Sequence, residues 1–476
     1  MTAQDRLAAW LLPALVALVY LPSLGYPFQF DDYNVIVDNP AVHSLDAWWR
    51  SMPGIRPLLK LSYALNWALA PSPFAFRLVN VALHAANALL VYLLLSELAR
   101  RRALPPLLPL LVATLFAVHP IQTEAVTYIC GRSVSLMAFF YLLSLLAWLV
   151  AAHTRQPGLK WLSALAFLCA FLTRETAIIL PAALWIAAHA GTPAPPLRDI
   201  AAPAPSLHAY RWPLGIAIAA LAFLLALPDY REFFSVAFAH RAPLDNLALQ
   251  VDAVYVLTGH LLMPSLMNID PVLPPSDWTA TLAAQAGLLA LVAALAALAL
   301  RRRSFAGFCA LWYLLHLAPT NSVVPRLDAF NDRQLYLSAI GAYALLALAA
   351  CHAAQWLRDR IAAARPQALP LMAYLPLLPF LLVLPAGGLT FARNDVYRNE
   401  IVFWKDVTAK SPANARAFNN IGYAYQQAGR HADARAAYLR ALALSRGMPT
   451  AHWNLQSLPP DGASARPSPA HPSLAR

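Results

Sequence analysis

A chain of 476 residues that is 60% apolar and only 12% charged cannot be an ordinary soluble domain, because too little polar surface is present to cover that much apolar material. The formal charge of +12 does not indicate nucleic acid either, since no compact run interleaves base-stacking aromatics with Lys and Arg. What remains is an all-α, polytopic membrane protein.

The first element in the chain is an apolar run from Leu7 to Leu21 behind a charged start, Asp5 and Arg6. No small-residue cleavage site follows, so it reads as a first membrane anchor and not as a removed signal. With it, eleven stretches are expected to span: 8–22, 78–98, 106–119, 134–152, 160–173, 176–190, 212–228, 280–300, 305–318, 335–353 and 369–390. A span needs about 20 residues, fewer where neighbouring helices help. Positive charge gathers in alternate connections: Arg100-Arg101-Arg102, Arg155 with Lys160, Arg198 with Arg211, Arg301-Arg302-Arg303, and Arg358, Arg360 with Arg365. Cytoplasmic loops retain such charge. The N-terminus is therefore expected inside, with 23–77, 120–133, 174–175, 229–279, 319–334 and the chain beyond 390 outside. Leu247–Met267 is apolar but contains Asp252 and His260; it reads as an interfacial or re-entrant helix, because counting it as a span would misplace the next Arg triplet. Cys130, Cys169, Cys309 and Cys351 show no paired spacing and read as small buried residues, not as disulfide partners or zinc ligands.

Beyond residue 390 the composition turns soluble, giving three expected units: a transmembrane domain at 1–390, helices at 391–456 and a disordered, Pro/Ser/Ala-rich tail at 457–476. Ala415 to Ser445 reads as a helical hairpin. Phe418, Ile421, Gly422 and Tyr425 form one face, Gly429 makes the turn, and Ala434, Tyr438 and Ala441 form the facing stripe. Asn420-Ile421 recurs as Asn454-Leu455, a 34-residue period characteristic of tetratricopeptide repeats. A single full repeat with partial flanks cannot bury a solenoid core, so it is expected to lean on the membrane domain or on a partner.

Candidate chemistry gathers on the expected outer side. Asp31-Asp32 follows the first span; a carboxylate in a partly desolvated crevice has its pKa raised and suits a general base. A second cluster interrupts an apolar run, with His119-Pro120, Glu124 and Gly131-Arg132. Ionisable groups cost about 2.5–3.5 kcal/mol each at mid-membrane and so normally face a polar cavity. Arg56, Arg132, Arg174 and Arg333 are placed where a phosphate would lie, and guanidinium groups bind phosphate bidentately; headgroup anchoring is the plainer alternative. His84 and Glu175 sit beside them. A metal shared by His119 and Glu124 has no supporting spacing.

Asp31-Asp32, Arg56-Pro57-Leu58 with Ser62-Tyr63, Asn80 to His84, His119-Pro120 through Glu124 to Gly131-Arg132, Arg174-Glu175-Thr176 and Asp332-Arg333-Gln334-Leu335-Tyr336 occur in an order that resembles the transmembrane and tetratricopeptide-repeat protein O-mannosyltransferases and their bacterial relatives. The resemblance covers about residues 10 to 456. It implies the GT-C glycosyltransferase architecture, inversion at the sugar carbon, and a polyprenyl-phosphate sugar as donor, with no cofactor firmly implied and a divalent metal left open without a supporting residue set. It places catalysis at Asp31, with Asp32 as the close alternative. The donor phosphate and substrate are then assigned to Arg56, His84, His119, Glu124, Arg132, Arg174, Glu175 and Arg333. Two positions depart from the family pattern: Arg174 stands where Lys is usual, and Asn331-Asp332 replaces Ala-Glu. The repeat array is also short, which leaves the acceptor open. Together with a composition rich in Ala, Leu, Arg and Pro, this suggests a bacterial inner-membrane transferase with a cytoplasmic N-terminus and a periplasmic repeat engaging an acceptor protein. The alternatives are a lipid or polysaccharide acceptor, or a non-catalytic scaffold docking partners through the repeat.

Overall fold

The computed structural model describes residues 2–52, 54–100, 102, 104–154, 156–190, 210–274, 278–326, 328–364 and 374–459. They are helical throughout, with no strand among the described residues. The tail from 460 onward, expected to be disordered, lies outside them.

The helices in chain order are α1 (Ala3–Tyr20), α2 (Leu45–Arg50), α3 (Pro57–Leu69), α4 (Pro73–Arg100), α5 (Leu108–Val118), α6 (Thr123–Val126), α7 (Arg132–Thr154), α8 (Pro157–Thr173), α9 (Leu180–Ala190) and α10 (Arg211–Ala226). They continue with α11 (Pro228–His240), α12 (Pro243–Leu262), α13 (Ala280–Arg301), α14 (Phe305–Leu317), α15 (Leu335–Ala364), α16 (Val383–Asn394), α17 (Glu400–Lys410), α18 (Ala415–Gln427), α19 (His431–Leu444) and α20 (Pro449–Gln456).

This is a multi-pass membrane protein. Among the described residues, six segments are long and apolar enough to cross a bilayer: Ala3–Ser23, Pro73–Arg100, Ile129–Thr154, Ala280–Arg301, Asp332–Ala364 and Leu375–Tyr397. Two bent pairs bring the number to eight, α5 with Pro120–Val126 (54°) and α10 with α11 (79°). Each bend falls at a proline, which cannot continue the helical hydrogen bonding. The expected count of eleven is thus not confirmed among the described residues. All eleven stretches overlap helix, but 157–173, 175–190 and 305–317 are shorter than a straight span needs.

Inside the bundle, α1, α4, α5, α7, α14 and α15 bury one continuous apolar core that includes Tyr20, Leu95, Phe116, Tyr141, Trp312 and Tyr336. Small residues allow close packing: a Cβ at Gly341 on α15 would overlap the Cys309 carbonyl of α14. All four cysteines are free. On α13 the outward face carries Leu288, Leu291, Leu295 and Leu298, all exposed, an apolar stripe suited to lipid.

One end of the bundle gathers the tips of α1, α4, α7, α15 and α16. Asn394 donates to the Val19 carbonyl at 2.9 Å, and Thr127 donates to Asn394 at 2.5 Å. A second apolar core lies over this end. Ile36, Val42, Tyr63 and Phe76 from the first long loop, α3 and α4 share it with Phe403, Trp404 and Val407 of α17 and with Ala417 and Ile421 of α18. The C-terminal hairpin thus leans on the membrane domain, with Gly429 at its turn in the left-handed region (φ 73°). α12 supports the same end. It is not among the span-forming helices, and its polar stripe holds the 321–334 loop: Asn246 donates to the Ser322 carbonyl at 2.7 Å and Gln250 to the Ala329 carbonyl at 2.9 Å.

Candidate active site

The chain leaves α1 through a tight turn, Leu21–Ser23, and is then clamped by Arg77 from the start of α4. This wholly buried guanidinium donates to the carbonyls of Leu24 (3.2 Å), Tyr26 (2.5 Å), Pro27 (3.0 Å) and Thr127 (2.8 Å). Four peptide oxygens on two loops are thereby fixed to one rigid helix, and a charged donor makes these bonds stronger than neutral ones. Phe30 follows in the left-handed region (φ 45°), an uncommon conformation for a bulky residue that turns Asp31 and Asp32 in different directions.

The two carboxylates are not equivalent. Asp32 is fully buried and accepts the Gln29 N–H at 3.0 Å on one oxygen and the Cys130 N–H at 2.9 Å on the other. Burial pushes its pKa up to about 6 against the pull of these donors. Asp31 keeps partial access to solvent, and its amide donates to the Tyr128 hydroxyl at 3.0 Å. Burial raises the Asp31 pKa first, and Arg333 and Arg416 pull it back down while Asp328 raises it. Of the pair, only Asp31 has a carboxyl that can be offered to a substrate.

Opposite stands the turn between α5 and α7. Gly131 closes it, since a Cβ there would overlap the backbone carbonyl of Glu124. Glu124 is buried; it accepts the Arg333 N–H at 3.1 Å, and its other oxygen lies 3.6 Å from Arg333 Nε. Arg174, in the corner between α8 and the Glu175–Ile179 turn, donates to Ser133 at 2.9 Å. Arg174 and Arg333 line one cleft with Val134, Met137, Tyr141 and His316. The cleft is narrow as it stands, enclosing about 30 Å³, room for a water molecule or two. The cleft offers two cations from two helix ends; Asp31 lies within electrostatic reach of Arg333 but does not line the cleft itself.

The other residues assigned to phosphate are engaged elsewhere. Arg132 is fully buried and donates to Asn80 (2.8 Å), Asn66 (2.8 Å) and the carbonyls of Phe76 (2.7 Å) and Ser62 (3.2 Å), with the Tyr63 ring 4.9 Å away. It braces the fold with four of its five N–H donors. His84 is a packing histidine: its nitrogens contact the Tyr336 hydroxyl at 2.8 Å and the Ala117 carbonyl at 3.1 Å. His119 accepts the Ile121 N–H at 3.2 Å as a helix cap. Arg56 and Glu175 form a two-bond ion pair with each other, so Arg56 arrives with its charge offset. Among the described residues, no group of three or more His, Cys, Asp or Glu side chains could hold a metal.

Comparison with known proteins identifies similar sequences. Protein O-mannosyl-transferase TMTC3 of Mus musculus is 32% identical over 164 residues, 31% of this chain and 17% of that protein. Protein O-mannosyl-transferase Tmtc1 of Drosophila melanogaster is 35% identical over 182 residues, 35% of this chain and 21% of that protein. Protein O-mannosyl-transferase TMTC4 of Homo sapiens is 34% identical over 167 residues, 29% of this chain and 22% of that protein. The matched stretch is thus about a fifth of these relatives' length. They belong to the family that the ordered motifs resemble. No family model matches the chain, and no solved structure matches it.

Several residues of the site carry no sequence signal of their own. Arg326 is half-buried in the loop before α15, with its Nη1 atom buried and making no hydrogen bond among the described residues. Burial and then repulsion from Arg333 push its pKa down to about 10. Asp332, next to Arg333, accepts His260 Nδ1 at 2.6 Å, and both side chains are buried. Arg77 and Arg416 are as important to the geometry, yet their partners lie 50 or more positions away. Only the loop position of Arg326, within 319–334, could have suggested it.

Proposed function

We propose that the chain is a glycosyltransferase that moves a sugar, mannose or another hexose, from a polyprenyl-phosphate carrier to a hydroxyl of a protein. The observation that carries this is the placement of the accessible Asp31 carboxyl within electrostatic reach of Arg333, which lines a cleft with Arg174. The similarity to proteins named O-mannosyl-transferases supports mannose and a protein acceptor.

The carrier phosphate binds Arg174 and Arg333, with Arg326 close by. Fixed guanidinium groups stabilise the charge that develops as the phosphate departs. Asp31 removes the proton of the acceptor hydroxyl, whose oxygen attacks the anomeric carbon. The bond from that carbon to the phosphate oxygen breaks, and the carrier leaves as polyprenyl phosphate. Attack from the face opposite the leaving group inverts the anomeric centre. The helices of 391–456 pack against the loop that carries Asp31; on this reading that end lies at the periplasmic face of a bacterial inner membrane with the N-terminus inside, which the distribution of Lys and Arg supports. The repeat-like helices there engage the acceptor.

The test uses the purified chain in lipid nanodiscs with polyprenyl-phosphate mannose and serine/threonine-rich peptides, read by mass for a hexose gain. Asp31→Asn is expected to abolish transfer while leaving the fold intact; transfer at the wild-type rate would remove Asp31 as the base.

A further inference from the structure

We infer that the C-terminal helices are part of the catalytic centre, and that Arg416 of α18 is a positioning residue for Asp31. The inference rests on the reading of Asp31 as the base. Three contacts, each independent of the others, tie the segment carrying Asp31 to residues nearly four hundred positions downstream.

Gln29 donates to the Tyr397 carbonyl at 2.8 Å. The Phe30 ring meets Trp404 of α17 edge-on, with centroids 4.9 Å apart, and lies 6.4 Å from Phe403. The Arg416 guanidinium carbon sits 5.9 Å from the centre of the same Phe30 ring. Phe30 is the residue with positive φ, so the conformation that presents Asp31 is held by packing from α17 and α18.

Arg416 is itself held in place. It forms a forked pair with the buried Asp270 carboxylate, which also accepts Asn414 Nδ2 at 2.9 Å, and it reaches Asp328 at 3.2 Å. A cation in the first turn of a helix opposes the helix dipole; Asp270 and Asp328 offset that cost. The result is a bridge from the hairpin to the 321–334 loop that passes over the Phe30 ring. The charged and titratable groups facing Asp31 are Arg333, Asp328, Arg416 and Tyr128. Any shift of α18 moves one cation of this set and the support of Phe30 together, so occupation of the hairpin and the state of the base are coupled.

The test measures kcat, donor KM, the pH profile and the melting temperature of the full-length protein in nanodiscs, for Arg416→Ala, Arg416→Lys, Arg416→Ala with Asp328→Asn, and Asp31→Asn. Misplacing a reacting group by about 1 Å can cost on the order of 100-fold in rate. Arg416→Ala is expected to lower kcat at least about tenfold with little change in donor KM, and to move the acid limb of the profile to higher pH, because Asp31 loses a counter-charge and keeps Asp328. Arg416→Lys retains the charge without the fork and is expected to leave the limb in place at an intermediate kcat. Adding Asp328→Asn to Arg416→Ala is expected to move the limb back. A normal kcat and an unmoved limb in Arg416→Ala, or a normal kcat in Arg416→Lys should the alanine variant fail to fold, would overturn the positioning role and leave a structural clip. Should Asp31→Asn stay active, the failure belongs instead to the reading of the base.

Discussion

Asp32 Oδ1 accepts the Cys130 N–H at 2.9 Å across 98 positions of sequence. With the Gln29 N–H on its other oxygen, this carboxylate fastens the first loop to the turn before α7. Asp31, one residue earlier, keeps its carboxyl open. Adjacent acidic residues therefore differ in kind, one bonded into the fold and the other left partly exposed.

Asn in place of Asp32 turns an amide NH2 towards a backbone N–H, and one buried donor loses its acceptor at a cost of about 1–3 kcal/mol. Asp32→Asn is thus expected to lower the melting temperature, whereas Asp31→Asn leaves it within a degree or two and removes activity. The pH dependence separates the two further. The folded-state pKa of Asp32, about 6, stands above its ordinary value of 3.8, so the folded protein holds this proton more tightly than the unfolded chain. That contribution is fully present below pH ~4 and is lost as pH rises through 6, amounting to roughly 3 kcal/mol. The gap in stability between wild type and Asp32→Asn should narrow from pH 4 to pH 7; a gap independent of pH would show that Asp32 does not titrate in this range.

Glu124 and Arg333 form the buried pair nearest the cleft. Removing one partner of such a pair typically costs about 3–5 kcal/mol, since the other is left uncompensated. Glu124→Ala is expected to unfold the outer end at lower temperature. Glu124→Gln still accepts the Arg333 N–H and is expected to fold. The Arg333 charge, no longer balanced by Glu124, should then hold the donor phosphate more tightly, lowering donor KM. A raised donor KM in Glu124→Gln would mean that Glu124 orients Arg333 more than it neutralises it.

Arg132 and Arg174 look alike in sequence, both beside helix ends in apolar surroundings. In the structure Arg132 is committed to four protein oxygens, while Arg174 lines the cleft. Arg132→Lys, which lacks the planar fork, should lower stability and yield with an unchanged donor KM in the protein that folds. Arg174→Ala should raise donor KM at least tenfold with a near-normal melting temperature. Exchange of these two phenotypes would reverse the assignment.

That contrast marks what a sequence can disclose here. Apolar runs located the core helices α1, α4, α5, α7, α14 and α15, because lipid leaves the backbone no other way to pair its polar groups, whereas α11 falls in a stretch, 229–279, that reads as an outer loop. Such runs could not say which helices are long enough to span, since bends at Pro120 and Pro228 depend on neighbouring packing. Ionisable residues in apolar surroundings drew attention to Asp31, Glu124, Arg174 and Arg333, and equally to His84, His119 and Arg132. Sorting the two groups requires knowing whether each donor finds a carbonyl, a long-range fact. Arg77, Asp270 and Arg416 acquire their roles only through partners brought together by folding.

Gly422 offers a test of whether the C-terminal helices matter to chemistry. It faces Tyr438 across the hairpin so closely that an added Cβ would lie 2.6 Å from the ring, well inside contact distance, and Tyr438 is itself fastened by its hydroxyl donating to Gln426 at 2.7 Å. The ring cannot withdraw without breaking that bond, so Gly422→Ala is expected to destabilise the hairpin by about 1–3 kcal/mol. Hydrogen exchange should then show faster opening of 415–444, with α1, α4 and α7 unchanged. Because Phe30 and Asp31 are held from α17 and α18, transfer should fall in step with that opening as temperature is raised, at unchanged donor affinity. Activity that stayed constant while the hairpin opened would detach the C-terminal helices from the catalytic step.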